Sequence, residues 1–167
     1  MAMPSDSELV ISKVIKAPRA AVWRAWAEPL QFEKWWIPAP MICRVVRMDL
    51  VPGGGFETLM REGDGEFQPH LDACFLDVVP MQRIVFTTVL REGWQPCEAW
   101  LAMTGIMTME DAAAQTRYVA RALHRNAQDS QKRADMGFEQ GWGMAIDQLE
   151  AMAEGLRHFC GRPHQAD

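Results

Sequence analysis

The last third of the chain carries one long amphipathic pattern, which constrains the fold more than any other feature of the sequence. Apolar residues recur there at alternating spacings of four and three: Phe138, Trp142, Ala145, Leu149, Met152 and Leu156. Such spacing is typical of one face of an α-helix. It predicts a single helix from about residue 130 to residue 156, capped by Asp129 or Ser130 and roughly 40 Å long. A helix of this length needs a large apolar surface to cover.

The segments before this helix are rich in β-forming residues and are separated by turn signals. They predict strands at 8–15, 44–51, 56–61, 66–79, 83–90, 98–109 and 116–124, and two short helices at 18–28 and 30–36. Consecutive strands joined by tight turns form an antiparallel sheet, and a sheet of this size curls. The predicted fold class is therefore α+β, with the final helix covering the concave face of six to seven strands.

Length, composition and charge narrow the possible functions. The 167 residues suit one domain, with a core over about 9–156 and a polar tail over 157–167. A net charge of −5 disfavours nucleic-acid binding, which needs a basic surface. We expect a cytoplasmic protein, because the chain shows no signal peptide, no membrane-spanning stretch and four widely spaced cysteines that read as reduced thiols.

Glycines interrupt the helical pattern although each costs about 1 kcal/mol relative to alanine. Gly137, Gly141 and Ala145 lie four residues apart and so form one line of small residues beside the apolar face. Gly143 falls on the opposite side, where the sequence offers no reason for it. Two explanations stay open for the line: it fits the helix closely to the sheet, or it widens a cavity between them.

The strand over 116–124 places small and polar side chains on one face. Alternation puts its arginines on one side and the following residues on the other: Tyr118, Ala120, Ala122 and His124. Because arginines prefer water, the tyrosine face should be the inner one. Two interpretations stay open for the two alanines: they leave a space with a polar group at each end, or aromatic side chains of the helix fill the gap. Methionines of the preceding strand, including Met103 and Met107, suit an adaptable apolar lining.

Motifs spread over the chain resemble those of a known family. They are ISKVIKAPRAAVWRAW, FEKWWIP, DLVPGGGF, VVPMQRIVFT, TRYVARALH and MGFEQGWGMAIDQL, and together they cover roughly residues 9–156. Their order resembles the START-like, or SRPBCC, superfamily, and within it the branch named after the activator of the heat-shock-protein-90 ATPase. The resemblance implies a helix-grip fold, in which a seven-stranded antiparallel sheet wraps around the C-terminal helix and a hydrophobic cavity lies between them.

The resemblance and the residue patterns together predict a set of cavity-lining, ligand-binding residues. These are Phe56, Met60, Trp100, Met103, Met107, Tyr118, Ala120, Ala122, His124, Phe138, Gly141, Trp142 and Ala145. The main hypothesis is a binding protein for an unidentified small hydrophobic or aromatic molecule, oriented by Tyr118, His124 or His70. No catalytic residue, metal or cofactor is assigned.

Two alternatives use the same fold differently. A cyclase or dehydratase would need a titratable group in the cavity, and His70, His124 and Glu57 are the candidates. A co-chaperone-like protein would bind heat-shock protein 90, which exposed Trp35, Trp36 or Trp94 would favour. The candidate macromolecular partners are a chaperone and a second copy of the chain.

Short motifs for other chemistries are weak. Gly53, Gly54 and Gly55 resemble a phosphate loop only in composition, because the lysine and the hydroxyl residue of such a loop are missing. His158, Cys160 and His164 do not have the spacing of a zinc site.

Overall fold

The computed structural model describes residues 5–156, which fold as strands, two short helices, further strands and two final helices. In chain order the elements are β1 Glu8–Ile15, α1 Arg19–Ala27, α2 Pro29–Phe32, β2 Ile42–Met48, β3 Gly55–Arg61, β4 Gln68–Val79, β5 Arg83–Thr87, β6 Leu90–Arg91, a 3-10 turn Glu92–Trp94, β7 Gln95–Pro96, β8 Met103–Ala112, β9 Gln115–His124, α3 Ala127–Asp135 and α4 Phe138–Leu156. The predicted polar tail, 157–167, lies outside the described residues.

Seven strands form one antiparallel sheet in the order β1-β9-β8-β5-β4-β3-β2. The long C-terminal helix and the two short helices after β1 complete the predicted α+β helix-grip. Strand β5 lies inside the sheet, as expected from its apolar sequence, and β6 pairs with β7 in a separate small hairpin. No helix within residues 5–156 has both the length and the apolar character needed to cross a membrane.

Alternation along the strands decides which side chains enter the core. On β9 the residues Tyr118, Ala120 and Ala122 are at most 1% exposed, whereas Arg117 points to solvent on the other face. The inner face of the sheet, defined by these buried residues, packs against α1 and α4. Aromatic rings fill the part nearest β3, β4 and β5: Trp26, Phe32, Trp35, Trp36, Phe56, Phe75 and Phe86.

The prediction of one helix from 130 to 156 is wrong, because the chain breaks at Gly137. That residue has a φ of 90°, which is outside the helical region and costs least for glycine. Helix α3 ends before it, and α4 begins after it. The N-cap of α3 is Asn126, whose side chain accepts a hydrogen bond from the Asp129 backbone N–H at 2.8 Å, rather than Asp129 or Ser130. Gly137 is therefore a hinge point between two helices and not part of a small-residue line on one.

The glycine run after β2 is used for close packing. A side chain at Gly53 would meet the Trp94 ring at 2.6 Å, and one at Gly54 would meet the Asp49 carbonyl oxygen at 2.0 Å. The Gly93 backbone N–H also donates to the Gly53 carbonyl at 2.8 Å. The run thus holds the β6–β7 hairpin against the sheet. The strand predicted to begin at residue 98 begins only at Met103, after this hairpin.

Candidate functional site

One flank of α4 is closed against the edge strand β1. A Cβ atom at Gly143 would lie 3.4 Å from Ile11 Cδ1, so this glycine lets helix and strand approach. Lys13 of β1 forms ion pairs with Asp147 at 2.7 Å and with Glu150 at 2.9 Å. Gly143, which the sequence left without a reason, therefore serves this contact.

The opposite flank of α4 is closed in its C-terminal half by Gln148. The Gln148 side-chain amide donates to the carbonyls of Trp35 and Ile37, both at 3.0 Å, and accepts from the Ala39 N–H at 2.8 Å. These contacts join α4 to the segment after α2. They hold the helix at this point.

Gly141 lies two helical turns before Gln148 on the same flank, since residues seven apart share a face. No heavy atom comes within 4 Å of the position where its Cβ would be. Gly143, two residues further on, points nearly the opposite way around the helix. The glycine that packs toward β1 is therefore Gly143, while Gly141 borders open space.

An aromatic pair stands beside this open flank. The Phe138 and Trp142 rings lie 4.6 Å apart, with Phe138 buried and Trp142 partly buried. Ala145 follows one turn later and is also buried. The N-terminal half of α4 thus combines apolar surface with an unfilled flank at Gly141.

The strand side of the predicted cavity is apolar and contains small residues. Met107 lies opposite Ala120, Gly105 opposite Ala122, and Met103 opposite His124. Tyr118 is 1% exposed, and its hydroxyl oxygen accepts a hydrogen bond from Trp26 Nε1 at 2.9 Å. Burial raises the pKa of Tyr118 well above its usual range, so the phenol stays neutral. Its oxygen is already engaged by Trp26, which leaves it poorly placed to orient a ligand.

His124 ends this strand with an unused hydrogen-bonding atom. The residue is 8% exposed, and its Nδ1–H donates to the Ser7 carbonyl at 3.2 Å. This bond leaves Nε2 as an acceptor, and Nε2 is buried without a hydrogen-bond partner among residues 5–156. Burial lowers the pKa of His124, so its ring is neutral at pH 7. A buried acceptor of this kind is expected to have a partner when the site is filled.

Helix α3 adds a guanidinium that the sequence analysis did not single out. Arg133 Nε is buried and has no hydrogen-bond partner among the described residues, and burial lowers the Arg133 pKa. Helix α3 packs against β9, the strand that ends at His124, and the positive charge of Arg133 adds to desolvation in lowering the pKa values of His124 and His70. Sequence could not show this, because a charged residue on a short polar helix normally faces water.

His70 stands at the edge of the same region. The register of β3 and β4 shifts at Thr58, and the His70 Nδ1 lies 2.9 Å from the Thr58 Oγ1. Irregularities of this kind redirect side chains, and here His70 reaches a threonine of the inner face. The residue is exposed to water, yet protein surrounds the ring closely enough that desolvation, together with Arg133, lowers the His70 pKa.

The remaining predicted residues separate into inner and outer positions. Phe56 is fully buried in the aromatic cluster, and Met60 is partly buried opposite Cys43. Trp100 is 73% exposed, and the Lys132 Nζ lies 4.9 Å from its ring, so Trp100 stands outside the inner face, against α3. Trp36 was not predicted as part of the lining, but its buried Nε1 has no partner within residues 5–156.

Glu57 lies on the outer face and not beside the histidines. It lines a 210 Å³ cleft with Asp72, Arg91 and Glu92. In this cleft Arg91 forms an ion pair with Asp72, and Arg47 forms one with Glu92. The position of Glu57 could have been read from the sequence, because neighbours on a strand point to opposite faces and Phe56 points inward. Glu57 therefore falls out of the set of candidate cavity acids.

Residues 5–156 give little support to a metal site or to a docking surface built on tryptophans. Residues 5–156 contain no group of three or more His, Cys, Asp or Glu side chains that could hold a metal, and His158, Cys160 and His164 lie outside this range. Cys43, Cys74 and Cys97 are free thiols. Of the three tryptophans considered for docking, Trp35 is buried and Trp36 partly buried in the core, while Trp94 is 55% exposed.

Comparisons with known proteins agree with this architecture. The family model described as Activator of Hsp90 ATPase homolog 1-like protein matches residues 16–154. A crystal structure of a protein from Nitrosomonas europaea is 31% identical, with a TM-score of 0.83, and the alignment covers 93% of this chain and 99% of that one. A protein from Mycobacterium smegmatis is 27% identical, with a TM-score of 0.72 and coverage of 88% and 90%.

A protein from Rhodobacter sphaeroides shares the fold at 12% identity, with a TM-score of 0.78 and coverage of 93% and 97%. Among curated proteins, none matches the chain.

Proposed function

Since the chain belongs to the family of Activator of Hsp90 ATPase homolog 1-like proteins and has its helix-grip fold, we propose that it binds a small hydrophobic molecule between the sheet and the N-terminal half of α4. The proposed lining comprises the predicted inner-face residues other than Trp100. Trp100 stands outside the inner face, against α3.

The observation that carries the proposal is the open flank of α4 at Gly141. Both flanks of the helix are held by specific contacts, since Gly143 meets Ile11 on one side and Gln148 reaches the Trp35 carbonyl on the other. At Gly141, by contrast, a side chain would meet nothing within 4 Å. Gly141 is partly exposed, so the space beside it opens to solvent, and the adjoining Phe138–Trp142 pair offers a ligand an apolar surface to cover.

Catalysis receives less support than binding. The two histidines of the region, His70 and His124, have lowered pKa values. The one acid among the candidate titratable groups, Glu57, lines the outer cleft. General acid–base catalysis needs its proton-transfer groups within hydrogen-bond reach of one substrate. We therefore propose a binding protein.

The test places a side chain in the proposed space. The neutral fluorescent probe N-phenyl-1-naphthylamine is titrated against the wild type and against Gly141→Leu. We expect the leucine to weaken probe binding at least about tenfold, which corresponds to about 1.4 kcal/mol. Stability should change little or rise, because leucine gains up to about 1 kcal/mol of helix propensity and meets no neighbour.

Gly155→Leu is the matched control. Gly155 also lies in α4 with no atom within 4 Å of its Cβ position, but it is exposed and 14 residues away, about 21 Å along the helix. Its leucine should leave probe binding unchanged. Equal effects of the two leucines, or no probe binding by the wild type, would refute the proposed site. A loss of about 1–3 kcal/mol of stability in Gly141→Leu would show close packing there instead.

A further inference from the structure

Among the described residues Arg133 has no counter-ion, which a desolvated guanidinium needs. Within residues 5–156 no carboxylate lies within ion-pair distance of it, and its buried Nε has no acceptor. Removing a charge from water is costly unless the charge is paired and hydrogen-bonded. The structure therefore keeps a cation in an unfavourable environment without an evident internal reason.

The acidic residues of α3 are committed to other partners. Asp129, one helical turn before Arg133, forms an ion pair with Arg125 at 2.9 Å. Asp135 accepts a hydrogen bond from the Gln131 side chain at 2.8 Å. Neither acid is thus arranged to neutralise Arg133, although the spacing of Asp129 would allow it.

Lys132, the neighbouring cation, shows the ordinary alternative. Its ammonium group lies 4.9 Å from the centroid of the exposed Trp100 ring, at the protein surface. Arg133 follows directly in the sequence but is only partly exposed, on a helix that packs against β9, the strand that ends at His124. Two adjacent cations on one helix therefore have different environments, and the less exposed of them, Arg133, has a buried Nε without a hydrogen-bond partner among the described residues.

His124 provides a second, independent sign that the region is built for a polar group. The residue is more than nine-tenths buried, and its Nε2 lacks a donor among residues 5–156. Ser130, on the α3 face that also carries Arg133, is 3% exposed. Buried polar atoms are almost always satisfied by protein, water or ligand. An oxyanion beside Arg133, with a hydroxyl or a water reaching His124, would satisfy both groups.

We propose that the ligand of this protein is an apolar molecule that carries a single oxyanion, such as a carboxylate, and that Arg133 binds this group while the apolar body extends toward Gly141. The inference rests on the proposed function, because it describes the ligand of the same site. A guanidinium suits this role since it presents several N–H donors to a planar oxyanion and stays charged even when it is desolvated.

Two probes that differ by one anionic group test the assignment. N-phenyl-1-naphthylamine is neutral, and 8-anilinonaphthalene-1-sulfonate is the same ring system with an added sulfonate. Each is titrated against the wild type, Arg133→Gln and the matched control Lys132→Gln, which removes the same charge from the next position. We expect Arg133→Gln to weaken sulfonate binding about tenfold relative to the neutral probe, and Lys132→Gln to change that ratio less than about twofold.

Two further measurements keep the test independent of one variant. Arg133→Lys retains the charge and should recover part of the lost sulfonate affinity. In the wild type, octanoate should displace N-phenyl-1-naphthylamine at lower concentration than 1-octanol, which extends the result from a sulfonate to a carboxylate. The oxyanion site is refuted, while the proposed function stands, if the neutral probe binds and two further results hold. The first is that the ratio of the two probes' affinities is the same in Arg133→Gln as in the wild type. The second is that octanoate competes no better than 1-octanol. If the neutral probe does not bind the wild type, the proposed function itself fails.

Discussion

Replacing Tyr118 by phenylalanine separates a structural hydroxyl from a ligand-binding one. Tyr118 and Trp26 are at most 1% exposed, and the indole N–H donates to the phenol oxygen at 2.9 Å. Tyr118→Phe keeps the ring and removes the acceptor. We expect the free energy of unfolding to fall, because the Trp26 N–H stays buried without a partner.

The magnitude follows from the cost of an unpaired buried donor, about 1–3 kcal/mol. For a chain of 167 residues this corresponds to a fall in melting temperature of about 2–4 °C per kcal/mol. The apolar contacts of the ring are retained, so no large cavity term is added. Binding of N-phenyl-1-naphthylamine should stay within about twofold of the wild type, since a hydroxyl held by Trp26 does not face the ligand.

Urea unfolding followed by circular dichroism measures the change, with Trp26→Phe introduced alone and in the Tyr118→Phe background. Trp26→Phe should cost less in the double variant, because one of the two partners is already missing. A loss below about 0.5 kcal/mol for Tyr118→Phe would mean that water reaches the indole N–H. That result would refute the dry packing under α1 on which the reasoning depends. A large loss of probe affinity would mean that the Tyr118 hydroxyl itself contacts the ligand.

Two other substitutions test the contacts that hold α4. Burial opposes ionisation of Glu150, but hydrogen bonds from Lys13 and the Lys16 N–H lower its pKa below the ordinary value. Glu150→Gln should therefore destabilise the protein at pH 7, and at every pH above the unfolded pKa of about 4.3. The difference in unfolding free energy between wild type and variant should fade as pH falls through the depressed folded pKa. Urea unfolding at several pH values measures it. A pH-independent cost would contradict the linkage. Gly137→Ala should cost about 1–2 kcal/mol in the same assay because of its φ of 90°, whereas Gly155→Ala should not destabilise.

The positions of side chains within single elements followed from the sequence, because the periods of strands and helices are local properties. Alternation on β9 placed Arg117 outside and Tyr118 inside, and the structure has both as expected. The spacing of Phe138, Ala145 and Leu149 marked the buried face of α4. The order of elements was enough to indicate a helix that covers the concave face of an antiparallel sheet, and the family resemblance implied the helix-grip.

The break between α3 and α4 needed the tertiary structure. Gly137 lies in a sequence whose apolar spacing on both sides is compatible with a helix, and a positive φ leaves no separate mark in such a pattern. The roles of Gly141 and Gly143 likewise depend on which flank of α4 meets β1, and that is set by packing against Ile11. Composition alone treats the two glycines as equivalent.

The polar part of the candidate site was only half visible in the sequence. His124 was found by alternation, whereas Arg133 was not, because the environment of Arg133 depends on how α3 ends at Gly137 and packs against β9. The same helix sends Lys132 to the surface against Trp100. Local periodicity thus determined which faces of each element are apolar, while the meeting of elements distant in sequence decided which polar atoms are left buried and unpaired, since burial is a property of the assembled fold.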